Sequence, residues 1–156
     1  SEDIVGQMNE SMTQQNDSNM FVTMFVGILD LQNGKLDYCN AGHNPPVLVA
    51  SDGTTTLLKP KKSQLAVGVF NETVYTSESI TLESGTKLFC YTDGIVEAEN
   101  VGKRLYRQDR LMQTLSLHHQ CDVKRLTEQV LESVAGHVLD AEQSDDLTVL
   151  VIKYKK

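Results

Sequence analysis

The carboxylates whose setting could do chemistry are Asp93, in Asp93-Gly94, and the pair Asp145-Asp146. The run Lys87-Leu88-Phe89-Cys90-Tyr91 favours a strand and stops just short of Asp93, so it carries that acid out of a sheet to its rim. Leu147-Thr148-Val149-Leu150-Val151-Ile152 is a second apolar run, and Asp145-Asp146 stand directly before it. If the two strands are neighbours, the acids converge. Carboxylate oxygens select hard divalent cations such as magnesium or manganese, which keep several waters and bridge to phosphate oxygens. A pair of such ions converts a bridging water to hydroxide near neutral pH for in-line attack on phosphorus. An Asp-Gly pair is also an ordinary turn signal and an acid before a strand an ordinary loop residue, so spacing alone leaves both readings open.

These residues sit in a chain of 156 residues, one domain's worth, with 40% hydrophobic and 22% charged content, which is ordinary for a globular protein. Twenty-one acids against 14 Lys and Arg give a formal charge of -7, which argues against nucleic acid or an anionic membrane as a partner and suits a cation-binding surface. The longest apolar runs, near residues 22–31 and 147–152, are too short to span a bilayer, and Ser1-Glu2-Asp3 is unlike a signal peptide. A cytoplasmic location is expected, without membrane insertion. Cys39, Cys90 and Cys121 are odd in number and widely spaced, which favours buried thiols over disulfides or a zinc cluster.

The elements that must position the acids follow from periodicity. Ile4, Val5, Met8 and Met12 recur at helical spacing, so the chain opens on a short amphipathic helix. Residues 20–31 are apolar on both alternating faces, the pattern of a central strand covered on both sides. Asn33-Gly34 signals a tight primed hairpin turn, with residues 35–41 returning antiparallel. After the rigid loop Gly42-His43-Asn44-Pro45-Pro46, strands at 47–50 and 54–58 continue what reads as a meander, and 73–82 and 87–91 are further strands. Residues 107–119 form a helix with Leu111, Met112 and Leu115 on one face. Asp122 caps a longer helix whose inner face is Val123, Leu126, Val130, Val134, Val138 and Leu139. A polar break at 142–146 precedes the closing strand, which its uncharged sequence predicts to be central. Hairpins, a helix pair and a returning strand make an antiparallel α+β layered domain.

Phe21-Val22-Thr23-Met24-Phe25-Val26-Gly27, Asn40-Ala41-Gly42-His43-Asn44-Pro45-Pro46, Tyr91-Thr92-Asp93-Gly94-Ile95-Val96-Glu97-Ala98 and Asp145-Asp146-Leu147-Thr148 stand in this order along the chain. Together they resemble the signature blocks of the SpoIIE/RsbU-type bacterial serine phosphatases, a PP2C-like (PPM) branch. The resemblance implies an α-β-β-α sandwich of antiparallel sheets flanked by helices and a two-metal manganese or magnesium centre. It also implies hydrolysis of phosphoserine on a phosphorylated STAS-type anti-anti-sigma protein in partner-switching signalling. By the same resemblance Asp93, Asp145 and Asp146 are metal-binding, and Gly94 permits the tight backbone at the rim. His43 lies in the family's Ala-Gly-His block but, as an isolated histidine with no specified ligand set, is read as orienting the loop after its strand in preference to a ligand, and Glu97 is an outer partner of the ligands or a solvated acid at a helix start. No side chain is given a catalytic role beyond the metal-bound water.

The resemblance also departs from the family. The upstream Gly-Asp block, with the acid that bridges the two metals, has no counterpart here, since Asp3 and Asp17 lack its strand context. Residues 1–156 are therefore expected to be one N-terminally truncated domain, the C-terminal portion of a PPM-type phosphatase domain, binding metal weakly or not at all and of low or no activity alone. A non-catalytic pseudophosphatase or regulatory interaction module is the alternative. Loss of the first strands leaves apolar surface uncovered, so self-association is expected as well.

Overall fold

Lys87-Leu88-Phe89-Cys90-Tyr91 does form a strand, and the sheet that carries the acidic rim is built on it. The structure is a computed structural model, and it describes residues 1–14, 16–141 and 145–156. Residues 142–144, in the polar break before the closing strand, and Gln15, in the polar stretch after the opening helix, lie outside the described residues. In chain order the elements are α1 (Glu2–Thr13), β1 (Met24–Leu29), β2 (Lys35–Ala41), β3 (Val47–Val49), β4 (Thr55–Leu57), β5 (Glu78–Thr81), β6 (Lys87–Tyr91), α2 (Asp93–Val96), α3 (Gln108–Leu117), α4 (Val123–Val138) and β7 (Val149–Lys153). They divide into two compact units, one of residues 1–45 and 59–82 with Lys156, the other of residues 46–58 and 83–155.

The first unit holds an antiparallel sheet in the order β1-β2-β5 together with α1. The strand expected over 20–31 is shortened to Met24–Leu29, and it lies at a sheet edge instead of the centre. Its beginning is diverted by side-chain chemistry. Asn16 Oδ1 accepts from Met20 N–H at 2.7 Å while Asn16 Nδ2 donates to the Met20 carbonyl, so that backbone is taken before any ladder reaches it. Val22 then pairs only with Val67, by two bonds of 2.9 Å. The hairpin between β1 and β2 is wider than a two-residue primed turn. Asp30 Oδ1 and Oδ2 accept from Gln32 N–H and the Asn33 side chain, and only Gly34 takes a left-handed φ, of 76°. The strand expected over 73–82 contracts to β5 for the same kind of reason, because Gln64 Oε1 accepts from Thr76 N–H and Glu2 Oε2 from Ser77 N–H.

Helix α1 turns a different face inward from the one its apolar residues suggest. Val5 and Asn9 are buried, whereas Ile4 and Met8 are exposed. Asn9 has every polar valence met. Its Nδ2 donates to the carbonyls of Phe70 and Asn71, and its Oδ1 accepts from Gly68 N–H at 2.9 Å and Tyr75 O–H at 3.3 Å. Leaving any one of these groups buried and unpaired costs about 1–3 kcal/mol, which explains an amide where a leucine would fit the helical pattern. Around it pack Val5, Cys39, Ala41, Val67 and Tyr75. Burial raises the pKa of the Cys39 thiol.

The second unit holds an antiparallel sheet in the order β4-β3-β6-β7, with α3 and α4 packed on one face. The expected meander therefore breaks between β2 and β3, which join different sheets. Pro45 and Pro46 fall at that break, and neither has an N–H with which to continue a ladder. Phe89, Tyr91, Leu111, Leu115, Leu126 and Val130 form the heart of the core, each large apolar side chain contributing about 1.5–3 kcal/mol by leaving water. Asp122 caps α4 as expected, its side chain accepting from Arg125 N–H at 2.7 Å. Leu126, Val130 and Val134 face inward, but Leu139 lies past the helix end at φ 52° and is exposed. Lys87 is buried at the start of β6, where its ammonium donates to the His119 carbonyl just beyond the end of α3, and burial lowers its pKa. Cys90 is half-buried with its thiol pushed up to about 11 by desolvation, and all three cysteines are free. Strand β7 is an edge strand and not a central one, pairing among the described residues with β6 alone. Among the described residues no helix is long and apolar enough to cross a membrane.

Edge strand β7 leaves Leu150 56% and Ile152 42% exposed, and open apolar edges invite pairing with another chain. Light scattering of the 156-residue chain is expected to give a mass that rises with concentration, and Leu150→Lys to reduce the rise; a monomer at every concentration would refute this. Hydrogen bonds from the Ser77 side chain and backbone hold Glu2 below its ordinary pKa of 4.5. A depressed folded-state value means that the contribution is fully present above pH 4.5 and lost as pH falls through the folded value. Urea melts from pH 6 to pH 3 should therefore show a steeper loss for the unmodified chain than for Glu2→Gln, to about half a pH unit's resolution.

Candidate metal rim

Beyond the last ladder pair of β6 and β7, Tyr91 with Val149, the two chains stay joined by Thr92 and Thr148. Thr92 N–H donates to the Thr148 carbonyl at 3.2 Å, and Thr148 N–H donates to Thr92 Oγ1 at 3.1 Å. The Thr92 hydroxyl in turn donates to the Asp146 carbonyl at 3.2 Å. One side chain thus extends the pairing by two positions and brings the stretch before β7 against the stretch after β6. Sequence periodicity does not single out Thr92; a β-branched hydroxyl residue directly after an apolar strand is the signal it offers, whereas Thr148 takes part only through its backbone.

Asp93 begins the short helix α2, and Gly94 behind it is buried. Gly94 is required by contact: a Cβ there would collide with the Asp146 carbonyl and carbon and press on Leu147. The neighbourhood of β6 and β7 that convergence of the acids demands is therefore present in this unit, with the backbone of Asp146 against that of Gly94. Asp93 and Asp146 are exposed, as is Asp145. Asp93 Oδ1 accepts from Gly94 N–H at 3.1 Å, and Asp145 Oδ1 from Asp146 N–H at 2.7 Å. Glu97 is at the end of α2 and not at a helix start; its backbone N–H donates to the Asp93 carbonyl at 2.8 Å, and its side chain is exposed. His43 belongs to the first unit, where its Nδ1 lies 3.1 Å from Thr23 Oγ1 and its N–H donates to Asn40 Oδ1 at 2.8 Å. Those bonds fit a residue that orients its loop. His118 and His119 are both half-buried at the end of α3.

A cavity of about 400 Å3 is lined by Gly94, Ala98, Val134 and Leu147 together with two acids, Glu99 and Asp145; Asp93 and Asp146 are not in its wall. The rest of its lining is apolar, with no Lys, Arg or His. Hard divalent cations take about six oxygen ligands. Among the described residues no group of three or more His, Cys, Asp or Glu can hold a metal ion. The donor chemistry is right and the donor number falls short, so these residues do not by themselves complete the two-metal centre that the resemblance implies.

Replacing Gly94 by alanine forces the rim apart at the Asp146 carbonyl. Gly94→Ala is expected to lower unfolding stability by about 1–3 kcal/mol, measured in urea. An unchanged midpoint would show that the two backbones are not in contact.

A family model described as Stage II sporulation protein E (SpoIIE) matches residues 1–155. Protein IcfG of Synechocystis sp. is 33% identical over 140 residues, which is 90% of this chain and 22% of that protein. Phosphoserine phosphatase RsbU of Bacillus subtilis is 25% identical over 153 residues, 97% of this chain and 44% of that protein. The chain thus spans less than half the length of either relative. Among solved structures, the SiaA-PP2C domain of Pseudomonas aeruginosa superposes with a TM-score of 0.84 at 20% identity, covering 99% of this chain and 61% of that one. The manganese-presoaked phosphatase domain of SpoIIE from Bacillus subtilis gives 0.73 at 19% identity, covering 99% and 67%. At such identities the likeness shows the fold, which is that of PP2C-like phosphatase domains, α+β with antiparallel sheets and flanking helices.

Proposed function

The chain belongs to the SpoIIE family, and from that membership we propose that it is the C-terminal portion of a metal-dependent phosphoserine phosphatase domain. The observation that carries the reading is the rim itself. In a chain matched by the family over residues 1–155, the β6–β7 pairing brings the segment of Asp145 and Asp146 beside Asp93 and Gly94. RsbU is named as a phosphoserine phosphatase, which supports phosphoserine as the substrate group. The partner we propose is a phosphorylated STAS-type anti-anti-sigma protein in cytoplasmic partner-switching signalling.

The three acids are this segment's share of a manganese or magnesium centre. That choice of metal is supported by the oxygen-only donors and by the manganese used with the SpoIIE phosphatase domain. The remaining ligands come from residues outside these 156, in keeping with a chain that covers 61% and 67% of the two solved phosphatase chains. Gly94 admits the close backbone approach that sets Asp93 against the Asp145-Asp146 segment, and Thr92 holds that approach. His43 acts through the loop it orients. A second reading, a non-catalytic module that binds a phosphoprotein, is favoured by one observation: no three-ligand group among the described residues.

Full-length protein supplied with manganese should hydrolyse a phosphoserine peptide, and Asp93→Asn should lower the rate by about 100-fold or more. The 156-residue chain alone should turn over a generic aryl phosphate hardly above background. Full-length protein that binds the peptide but releases no phosphate would replace the enzyme with the binding module. Manganese-dependent turnover by the short chain, abolished by Asp93→Asn, would refute its dependence on outside ligands.

A further inference from the structure

Asn40, the next-to-last residue of β2, is 2% exposed. Its Oδ1 accepts from His43 N–H at 2.8 Å, which fixes the orientation of the amide, because the reverse placement would set two donors against each other. Nδ2 then has no hydrogen-bond partner, and it is the buried side-chain polar atom so stranded among the described residues. Buried amides are otherwise hydrogen-bonded in the great majority of structures, so an acceptor is missing here.

The same Asn40 lines a cavity of about 280 Å3 in the first unit, with Gly42, His43, Lys59, Ser63 and Gln64 around it. No Asp or Glu is in its wall. Lys59 and Ser63 are exposed at its mouth, and Lys61 and Lys62 follow on the same loop, three lysines against one acid outside the lining, Glu78, whose Oε1 accepts from Lys61 N–H at 2.5 Å. Gln64 is already committed to the wall, its Oε1 accepting from Thr76 N–H at 2.6 Å and its Nε2 donating to the Thr76 carbonyl at 3.0 Å. Gly42, at φ 72°, lets the wall close, since a Cβ there would stand 3.1 Å from Ala66 N.

A buried donor without an acceptor, a hydroxyl, an ammonium group and no competing carboxylate make a donor set for an oxyanion. We infer that this cavity binds a phosphate monoester, whose oxygens accept from Asn40 Nδ2 and Ser63 Oγ while Lys59 supplies the countercharge. The clustered lysines favour a dianion over a carboxylate of single charge. The site uses no residue of the carboxylate rim and needs no metal. It binds without making or breaking a covalent bond.

The test is a titration of the 15N-labelled chain with a chelator present, followed by two-dimensional NMR. Inorganic phosphate and O-phosphoserine are the probes, with serine and acetate at matched ionic strength as controls. Saturable shifts of the Asn40 side-chain amide and of the His43 and Gln64 backbone amides are expected with both phosphate probes and with neither control. Asn40→Asp keeps the acceptor for His43 N–H and replaces the donor by a like charge, so it should weaken binding by about tenfold or more. Should that variant fail to fold, Lys59→Gln and Ser63→Ala, both at the mouth, carry the same comparison, each with a Kd raised several-fold. Absence of saturable shifts below about 50 mM phosphate, an equal response to acetate, or unchanged affinity in the variants would overturn the proposal. A response to inorganic phosphate but not to phosphoserine would overturn the monoester assignment. With metal chelated and no turnover measured, none of these outcomes bears on the phosphatase reading.

Discussion

The acidic rim depends on one hydroxyl. Thr92 Oγ1 accepts from Thr148 N–H and donates to the Asp146 carbonyl, so it completes the backbone pairing where the ladder of β6 and β7 has ended. The backbone bond from Thr92 N–H to the Thr148 carbonyl carries the pairing one step past Val149, and the hydroxyl adds the bonds to Thr148 N–H and the Asp146 carbonyl that keep the segment before β7 beside Gly94. A hydroxyl serves because it is donor and acceptor at once, and a β-branched one because its rotamer is already restricted. The carboxylates stay exposed, and the order that holds their backbone segments together lies in neutral groups.

Much of this was legible in the residues. The bounds of β2 and β6 match the apolar runs at 35–41 and 87–91, and Asp122 announced the start of α4. The convergence of two strand ends was legible as a condition, and the register met it. Errors came where side chains compete with backbone partners. Asn16, Gln64 and Glu2 seize the N–H groups of Met20, Thr76 and Ser77; the second and third captures span 12 and 75 residues, and the first, though local, is made by a polar side chain that hydrophobic periodicity does not weigh. Likewise, β1 and β7 were expected at sheet centres because both faces are apolar. Apolarity describes the faces of a strand, whereas a central place depends on its edges, and each of these strands pairs on one edge only among the described residues.

The family resemblance carried what spacing could not, since an Asp-Gly turn and an acid before a strand are common separately. What it could not carry was the donor count. Asp93, Asp145 and Asp146 occupy the positions the blocks assign, and the described residues still offer no three-ligand group. Thr92 and Asn40 escaped notice for a different reason: each lies inside a recognised block beside a more conspicuous residue. Polar residues at strand ends are ambiguous in sequence because their partners are backbone atoms, which every residue has.

Asn9 ties α1 to a segment that has almost no regular structure of its own. The four groups it binds, on Gly68, Phe70, Asn71 and Tyr75, belong to a stretch with no named strand or helix until β5 begins at Glu78. Proteins open locally in cooperative units, and an amide exchanges only when the bond that holds it opens. Exchange of the Gly68 amide therefore requires its release from Asn9, which couples that point of the loop to a helix nearly sixty residues earlier.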